Sequence, residues 1–582
     1  MKYKRNLISI EIKFLFYIIT TLFISNLNNE QPVRIKVYLL HFFIILFPFF
    51  SHGQIINTSI AGGNIPTVQR YQVHDFIFRN TAENTINPFD VVFGAIYTGP
   101  SGEKLKVPGF YNGDEEWVSR FSATEVGTWT FETYASLATL SGHKGSIEIT
   151  KNSLPNQKGA VVLDPENPQA FVYGNGSPYF LLAYELDWLF ALDYGNASGL
   201  PRTDKILDEV ASNGFNHIVM NVYAYDVAWR IADNVPDEYF FGRPEYGIFH
   251  GGNENPDFSQ LNLTLFQHLD RVIDAMKQKG LDAHLMIYVW NKMVNWPEMY
   301  SKADNMYFDY VIDRYQAFSN VIWDISKEAL DYGRCDIPYL HERISRVRGR
   351  DAFKRLLTVH DYEYNSRHED KVDFISIQSW RPNLYSLMLQ GRQFHIKPVV
   401  NIEHGGYETG PYLSFLGNYT NPETLLERTY ECVFAGVYGS YYWQNTAWNI
   451  VIWDALDENH DFDKPRYDYY QHLSELFKRF EYNNFKPSIP KLTTNDKGGN
   501  DNLATNGYGM YDGNGNYLML IPKETERTNI IIPKPESGKL KVTWMNPFTG
   551  EYQEKGALDW NGWMEMISPW QYQMSVLIIE GL

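Results

Sequence analysis

Glu328 closes the stretch "NVIWDISKE" (320–328), and Glu403 stands in "PVVNIEHGG" (398–406), each at the end of a short apolar run. A buried, unpaired carboxylate is costly, so each glutamate needs either a structural partner or a solvated cleft. Two carboxylates facing one another across a cleft can hydrolyse an acetal. One protonates the leaving oxygen while the other attacks the anomeric carbon or activates water. Glu328 and Glu403 are therefore the first catalytic candidates, provided that the fold brings the ends of their runs together. Neighbouring runs end in groups suited to a polar ring-shaped ligand: Asp187, Trp188, Asn221, Tyr223, Trp290, Asn291, Lys327, His360, Trp380, His404 and Trp443. Aromatic rings at such places stack on flat apolar faces, although large cores use them too. Asp324, inside the "WDISKE" run, shares a strand face with Ser326 and receives no chemical role.

The elements that must position these residues can be read from periodicity. Between about 165 and 485, eight strand-like runs alternate with amphipathic stretches: "YFLLAYELDW", "HIVMNVYAYD", "DAHLMIYVW", "NVIWDISKE", "RLLTVHDYE", "DFISIQSW", "PVVNIEHGG" and "GSYYWQNTAW". The segment "NLTLFQHLDRVIDAMKQKG" between the second and third is apolar at helical spacing and closed by Gly280. That alternation predicts a central (β/α)8 TIM barrel, in which all strand ends open on one mouth. The fourth and seventh strands then present Glu328 and Glu403 from opposite walls. A doubly wound open sheet is the rival, but no GxGxxG loop follows the first strand. Residues 60–150 and 490–582 read instead as short alternating strands broken by Gly, Pro and Asn, the pattern of an N-terminal and a C-terminal β-sandwich.

The 582-residue chain is 44% hydrophobic and 16% aromatic, with a formal charge of -18. Composition is that of a multidomain globular protein, and the negative balance argues against a nucleic-acid partner. Residues 1–53 stand apart. Their apolar runs, "FLFYIITTLFI" and "VYLLHFFIILFPFF", are shorter than the roughly 20 residues of a membrane-spanning helix. Arg34 and Lys36 before the second run and "SHGQ" after it give the layout of a signal peptide, with cleavage after Gly53 and a mature start at Gln54. The first 32 residues then read as an upstream extension of a start near Val33. Export to the periplasm, cell surface or medium is the expectation, with no stable membrane span in the mature protein. Cys335 and Cys432 lie in no metal-type spacing, and nothing in the sequence shows whether they pair.

Two further stretches carry a resemblance. "VPGFYNGDEEWVSRFSATEVGTWTFE" (107–132) resembles the small N-terminal sandwich, a domain of unknown function, that precedes many bacterial glycoside hydrolase barrels. "VTWMNPFTGE" (542–551) is similar to a C-terminal collagen-binding-like sandwich that follows related barrels. With its paired glutamates, the barrel itself looks like a clan A glycoside hydrolase of the apiosidase-like group. The resemblance implies a retaining mechanism, with Glu328 as acid/base and Glu403 as nucleophile, no cofactor or metal, and a poly- or oligosaccharide substrate. It also implies an Asn before the acid/base, contacting the sugar 2-hydroxyl, where this chain has Lys327. His404 and the amides of Gly405 and Gly406 would steady the Glu403 anion, and Glu328 would need a raised pKa. The rival readings are a non-catalytic carbohydrate-binding surface protein on the same barrel, or a different chemistry, which would call for a His/Asp cluster at the strand ends.

Overall fold

The computed structural model describes residues 56–59, 65–80, 86–227, 236–381, 384–405, 422–442, 465–488, 493–494, 508–523, 525, 527–562 and 564–581. Residues 1–53, expected to hold a signal peptide, and Trp443 lie outside the described residues. The chain forms an N-terminal β-sandwich, a central parallel barrel and a C-terminal β-sandwich.

The barrel strands are β1 (Leu182–Glu185), β2 (His217–Asn221), β3 (Asp282–Val289), β4 (Val321–Lys327), β5 (Leu357–His360), β6 (Ile375–Gln378), β7 (Val399–Glu403) and β8 (Tyr438–Tyr441). All pair in parallel in the order β5-β4-β3-β2-β1-β8-β7-β6. Between β5 and β6 the ring is joined by Asp373 N donating to Leu357 O at 2.8 Å. The Thr358 and Ser376 hydroxyls meet across the same seam at 3.1 Å. Every residue of β3 and β4 is buried, as expected of parallel strands covered on both faces.

Eight described α-helices surround the ring: α1 (Pro201–Ser212), α2 (Leu263–Gln278), α3 (Lys302–Tyr315), α4 (Ile337–Arg350), α5 (Tyr362–Arg367), α6 (Leu384–Phe394), α7 (Pro422–Phe434) and α8 (Tyr467–Phe480). In α2 the buried side chains Leu265, Phe266, Leu269, Val272, Ile273 and Met276 follow the helical repeat. Gly280, at φ +75°, ends that turn in the left-handed conformation open to glycine.

The closed end of the barrel is polar. A small sheet of residues 161–163, 171–173 and 178–179 lies there, and its Tyr179 hydroxyl is 3.1 Å from His217 Nδ1. His217 Nε2 is 3.1 Å from His284 Nδ1, and His284 Nε2 is 2.9 Å from Asp324 Oδ2. Tyr179 also hydrogen-bonds Asp282, whose carboxyl burial pushes up to about 8. From Tyr179 through His217 and His284 to Asp324 each link is a hydrogen bond, the condition on which a core tolerates polar groups, while Asp282 Oδ2 finds no partner among the described residues.

In the N-terminal sandwich a four-stranded sheet faces a five-stranded one. Phe76, Phe93, Tyr97, Phe121, Trp129 and Phe131 fill the space between them, with Tyr97 stacked on Phe121 at 4.0 Å. Strand 127–135 alternates buried and exposed positions through its centre, as a strand with one packed face must. Arg120 ties this sandwich to the barrel. It grips Asp75 of its own domain through Nε and Nη2, each at 2.8 Å, and Asp270 of α2 at 2.8 and 2.9 Å. Arg314 of α3 holds the same Asp270 at 2.8 and 2.6 Å. The guanidiniums of Arg120 and Arg314 lie over the Phe110 ring at 5.0 and 4.6 Å.

The C-terminal region pairs a six-stranded antiparallel sheet with a three-stranded one around Trp544, Met519, Val542 and Leu577. It docks on the barrel through Tyr508, stacked on Tyr385 of α6 at 3.7 Å. Cys335 and Cys432 are both buried and free.

Candidate active site

Glu328 directly follows β4 and Glu403 ends β7, so both stand at the C-terminal end of the barrel. Pairing of β4 with β5 shifts register between Asp324 and Lys327. Three residues apart on a regular strand, these two would face opposite sides; the irregularity turns both inward. Asp324 accepts His360 N at 2.9 Å and Ser326 N at 3.1 Å, so it braces β4 against β5. Lys327 reaches across the barrel instead. Its Nζ lies 2.5 Å from Glu185 Oε1, 3.2 Å from Asp187 Oδ2 and 3.1 Å from Glu403 Oε2.

Glu328 adopts φ +51°, a left-handed conformation disfavoured for any residue with a Cβ. Its backbone N donates to His360 O at 2.8 Å, which fixes the turn. Its carboxylate accepts from Asn291 Nδ2 at 2.5 Å and from Gln378 Nε2 at 3.0 Å. Gln378 Oε1 in turn lies 3.1 Å from His360 Nε2, which assigns the ring proton to that nitrogen. The same His360 Nε2 is 3.9 Å from Glu403 Oε2. Gln378 and His360 thus lie between the candidate acid and the candidate nucleophile, bonded to the first and only near the second. Burial, Lys327 and His284 together press the His360 pKa well below its usual value, so the ring is neutral.

Glu403 is 2% exposed and Glu328 9%. Burial pushes the Glu403 carboxyl up to about 7; Lys327 opposes that push and the charge of Glu328 adds to it. Burial also drives Glu185 well above the usual carboxylate range, again against Lys327. A second buried amine, Lys292, stands 3.6 Å from Asp187 Oδ2 and is held below its ordinary pKa by burial. Among the described residues no group of three or more His, Cys, Asp or Glu is placed to hold a metal ion.

Other sequence candidates divide by where their polar atoms point. Asn221, fully buried at the end of β2, finds no hydrogen-bond partner for either amide atom among the described residues. Trp380 is half-buried after β6, edge-on to Tyr442 at 5.1 Å, with its ring laid on Gly405. A Cβ on Gly405 would stand 2.3 Å from that ring, and φ there is +56°. Four of the sequence candidates are engaged elsewhere. His404 does not steady Glu403: its ring nitrogens lie 3.0 Å from Gly405 O and 2.8 Å from Thr429 Oγ1, which anchors β7 to α7. Tyr223 donates its hydroxyl to Tyr246 O at 2.5 Å and packs on Phe190, so it secures a loop. Trp290 is stacked on Tyr288 at 5.1 Å and set against Trp296, within the wall. Trp188 likewise packs against Phe190 in the core.

Sequence reasoning missed Glu185, Lys292 and Gln378. It also missed Tyr332, half-exposed beside Glu328 with its hydroxyl hydrogen-bonded to Asn291. Glu185 was open to discovery, since a glutamate in an otherwise apolar strand needs an explanation; the others sit where only the turn geometry places them.

A family model described as "Apiosidase-like, catalytic domain" matches residues 165–484, more than half of the chain. A second, "Domain of unknown function (DUF5060)", matches residues 67–136. No curated protein matches. Among solved structures, a protein from Bacteroides vulgatus ATCC 8482 described as a candidate glycoside hydrolase is 19% identical with a TM-score of 0.67, over 89% of this chain and 100% of its own. A family 5 glycoside hydrolase from the same organism is 17% identical with a TM-score of 0.54, over 74% of this chain and 94% of its own. At these identities the likeness concerns the fold, a glycoside hydrolase-type barrel. The match across the whole barrel, with its glutamate-bearing mouth, places the chain in the Apiosidase-like family.

Proposed function

We propose that the chain is an exported retaining glycoside hydrolase acting on a poly- or oligosaccharide, with Glu328 as acid/base and Glu403 as nucleophile. The observation that carries this reading is the placing of both carboxylates at one end of the barrel: Gln378 joins Glu328 to His360, whose ring nitrogen stands 3.9 Å from Glu403, and Lys327 lies 3.1 Å from Glu403. In the first step Glu328 gives its proton to the leaving oxygen as Glu403 bonds to the anomeric carbon. Water, deprotonated by Glu328, then releases the sugar. Asn291 and Gln378 aim the Glu328 carboxyl, and Lys327 favours the ionised form of Glu403. Trp380 offers a ring face at the mouth, and a sugar hydroxyl would satisfy the buried Asn221 amide.

The test follows a glycan screen that supplies an accepted substrate. Glu403→Ala abolishes turnover, and azide partly restores it with an inverted product. Glu328→Ala loses much of the roughly 10²–10⁴-fold of general acid catalysis on poor leaving groups but little on activated aryl glycosides, and azide gives a retained product. Wild-type activity in both variants would remove the dyad.

A further inference from the structure

Four carboxylates, Glu185, Asp187, Glu328 and Glu403, meet two amines, Lys292 and Lys327, in a nearly water-free space. Fully ionised, this set carries two surplus negative charges, and a low-dielectric site does not hold such a surplus. Glu328 is the most open of the four and takes two amide donors. Glu185 and Glu403 are instead buried and converge on the same ammonium, at 2.5 and 3.1 Å. Lys327 has three protons to donate and faces Glu185, Asp187 and Glu403 at 2.5, 3.2 and 3.1 Å, while Asp187 also has Lys292 at 3.6 Å.

We propose that Glu185 and Glu403 share one proton beneath Lys327, so that the ionisation of one carboxyl fixes that of the other, with Lys327 as the positioning residue that couples them. The groups facing Glu403 bear this out element by element. They are Glu185 at the end of β1 and Asp187 just after it, Lys327 of β4 with Glu328 following it, and His360 of β5, while Lys292 after β3 faces Asp187. Gln378 of β6 is uncharged, and Tyr442 after β8 is held neutral by burial and by these carboxylates. None of the uncharged neighbours adds a positive charge, so a proton on the Glu185–Glu403 pair removes one of the two surplus charges, and the other rests on Glu328, the most open of the four. The proposal deepens the hydrolase reading, because the acid limb of the rate then belongs to the pair and not to Glu403 alone.

The experiment needs no substrate. Carboxyl protonation is followed by infrared difference spectroscopy across pH on the whole protein, using 13C-glutamate label, in wild type, Glu185→Gln and Glu403→Gln. Wild type should lose the pair's protons in two steps. The upper step should vanish from both single variants, each keeping one step at least about one pH unit lower. Independent carboxyls would behave otherwise: one variant would retain the upper step unchanged, and that result overturns the proposal. Lys327→Met should raise every remaining midpoint; if it does not fold, the two glutamine variants still decide. A coupled pair in a protein whose Glu403→Ala variant remains active would refute the nucleophile assignment and leave the coupling standing.

Discussion

Asp270 accepts four hydrogen bonds from two buried guanidiniums, so Asp270→Ala should be among the most destabilising single changes in the chain. After the change, Arg120 retains Asp75, but Arg314 keeps only the Tyr310 hydroxyl and loses its charged partner. Removing one member of a buried ion pair costs about 3–5 kcal/mol, because a desolvated charge is left behind. Against the ~5–15 kcal/mol stability of a typical domain, that loss is large. Urea unfolding at pH 7, followed by tryptophan fluorescence and circular dichroism, would show the midpoint fall with an unchanged slope. The pH dependence has a definite sign. Burial alone would raise the Asp270 pKa, yet Arg120 and Arg314 outweigh it and hold the carboxyl below its ordinary value. Its contribution is therefore complete above the unfolded value of about 3.9 and is lost as pH falls through the depressed one. A loss below about 1 kcal/mol, the range of an exposed pair, would refute the claim that this cluster locks the sandwich to the barrel.

Other outcomes are expected. With an accepted glycan, kcat/KM should fall as pH drops below about 7, where burial has raised Glu403 and the nucleophile takes up a proton; a flat profile down to pH 5 would contradict this. Gly405→Ala should lower both stability and sugar affinity, since the new methyl displaces Trp380 from a strained turn; calorimetry and substrate titration would read it. Asp282→Asn should leave stability little changed below about pH 4 and raise it progressively as pH climbs from about 4 to about 8. The buried Asp282 carboxyl, pushed up to about 8, resists ionisation that the unfolded chain accepts freely above about 3.9, and thermal melts from about pH 4 to 9 would show the two proteins diverge and then run level. N-terminal mass analysis of exported protein should find Gln54 first; a retained 1–32 segment would count against export by this route.

The barrel was legible because its signal is repetitive. β3 and β4 are fully buried runs, and α2 repeats at helical spacing, so each unit reinforces the same topology. The positions of Glu328 and Glu403 followed from that alone. Side-chain direction at the strand ends did not, since period-two alternation fails where β4 and β6 slip register beside the site. Lys327, a substrate-binding candidate standing where the resemblance implies an Asn, is found spanning the barrel to Glu185. Gln378, on the far side of the second slip, was overlooked, and His404 was aimed the wrong way by one residue of turn. The dry environment expected around Glu328 is deepest around Glu403.

The two thiols have a consequence for where this chain can mature. The sequence contains no other cysteine, and burial pushes both Cys335 and Cys432 up to about 12, so almost no thiolate exists at neutral pH. A protein with no crosslink to form has the same covalent skeleton on either side of a redox boundary. Its maturation requires no oxidase or isomerase, reductant has nothing to cleave, and peroxide meets sulfur that is both shielded and protonated.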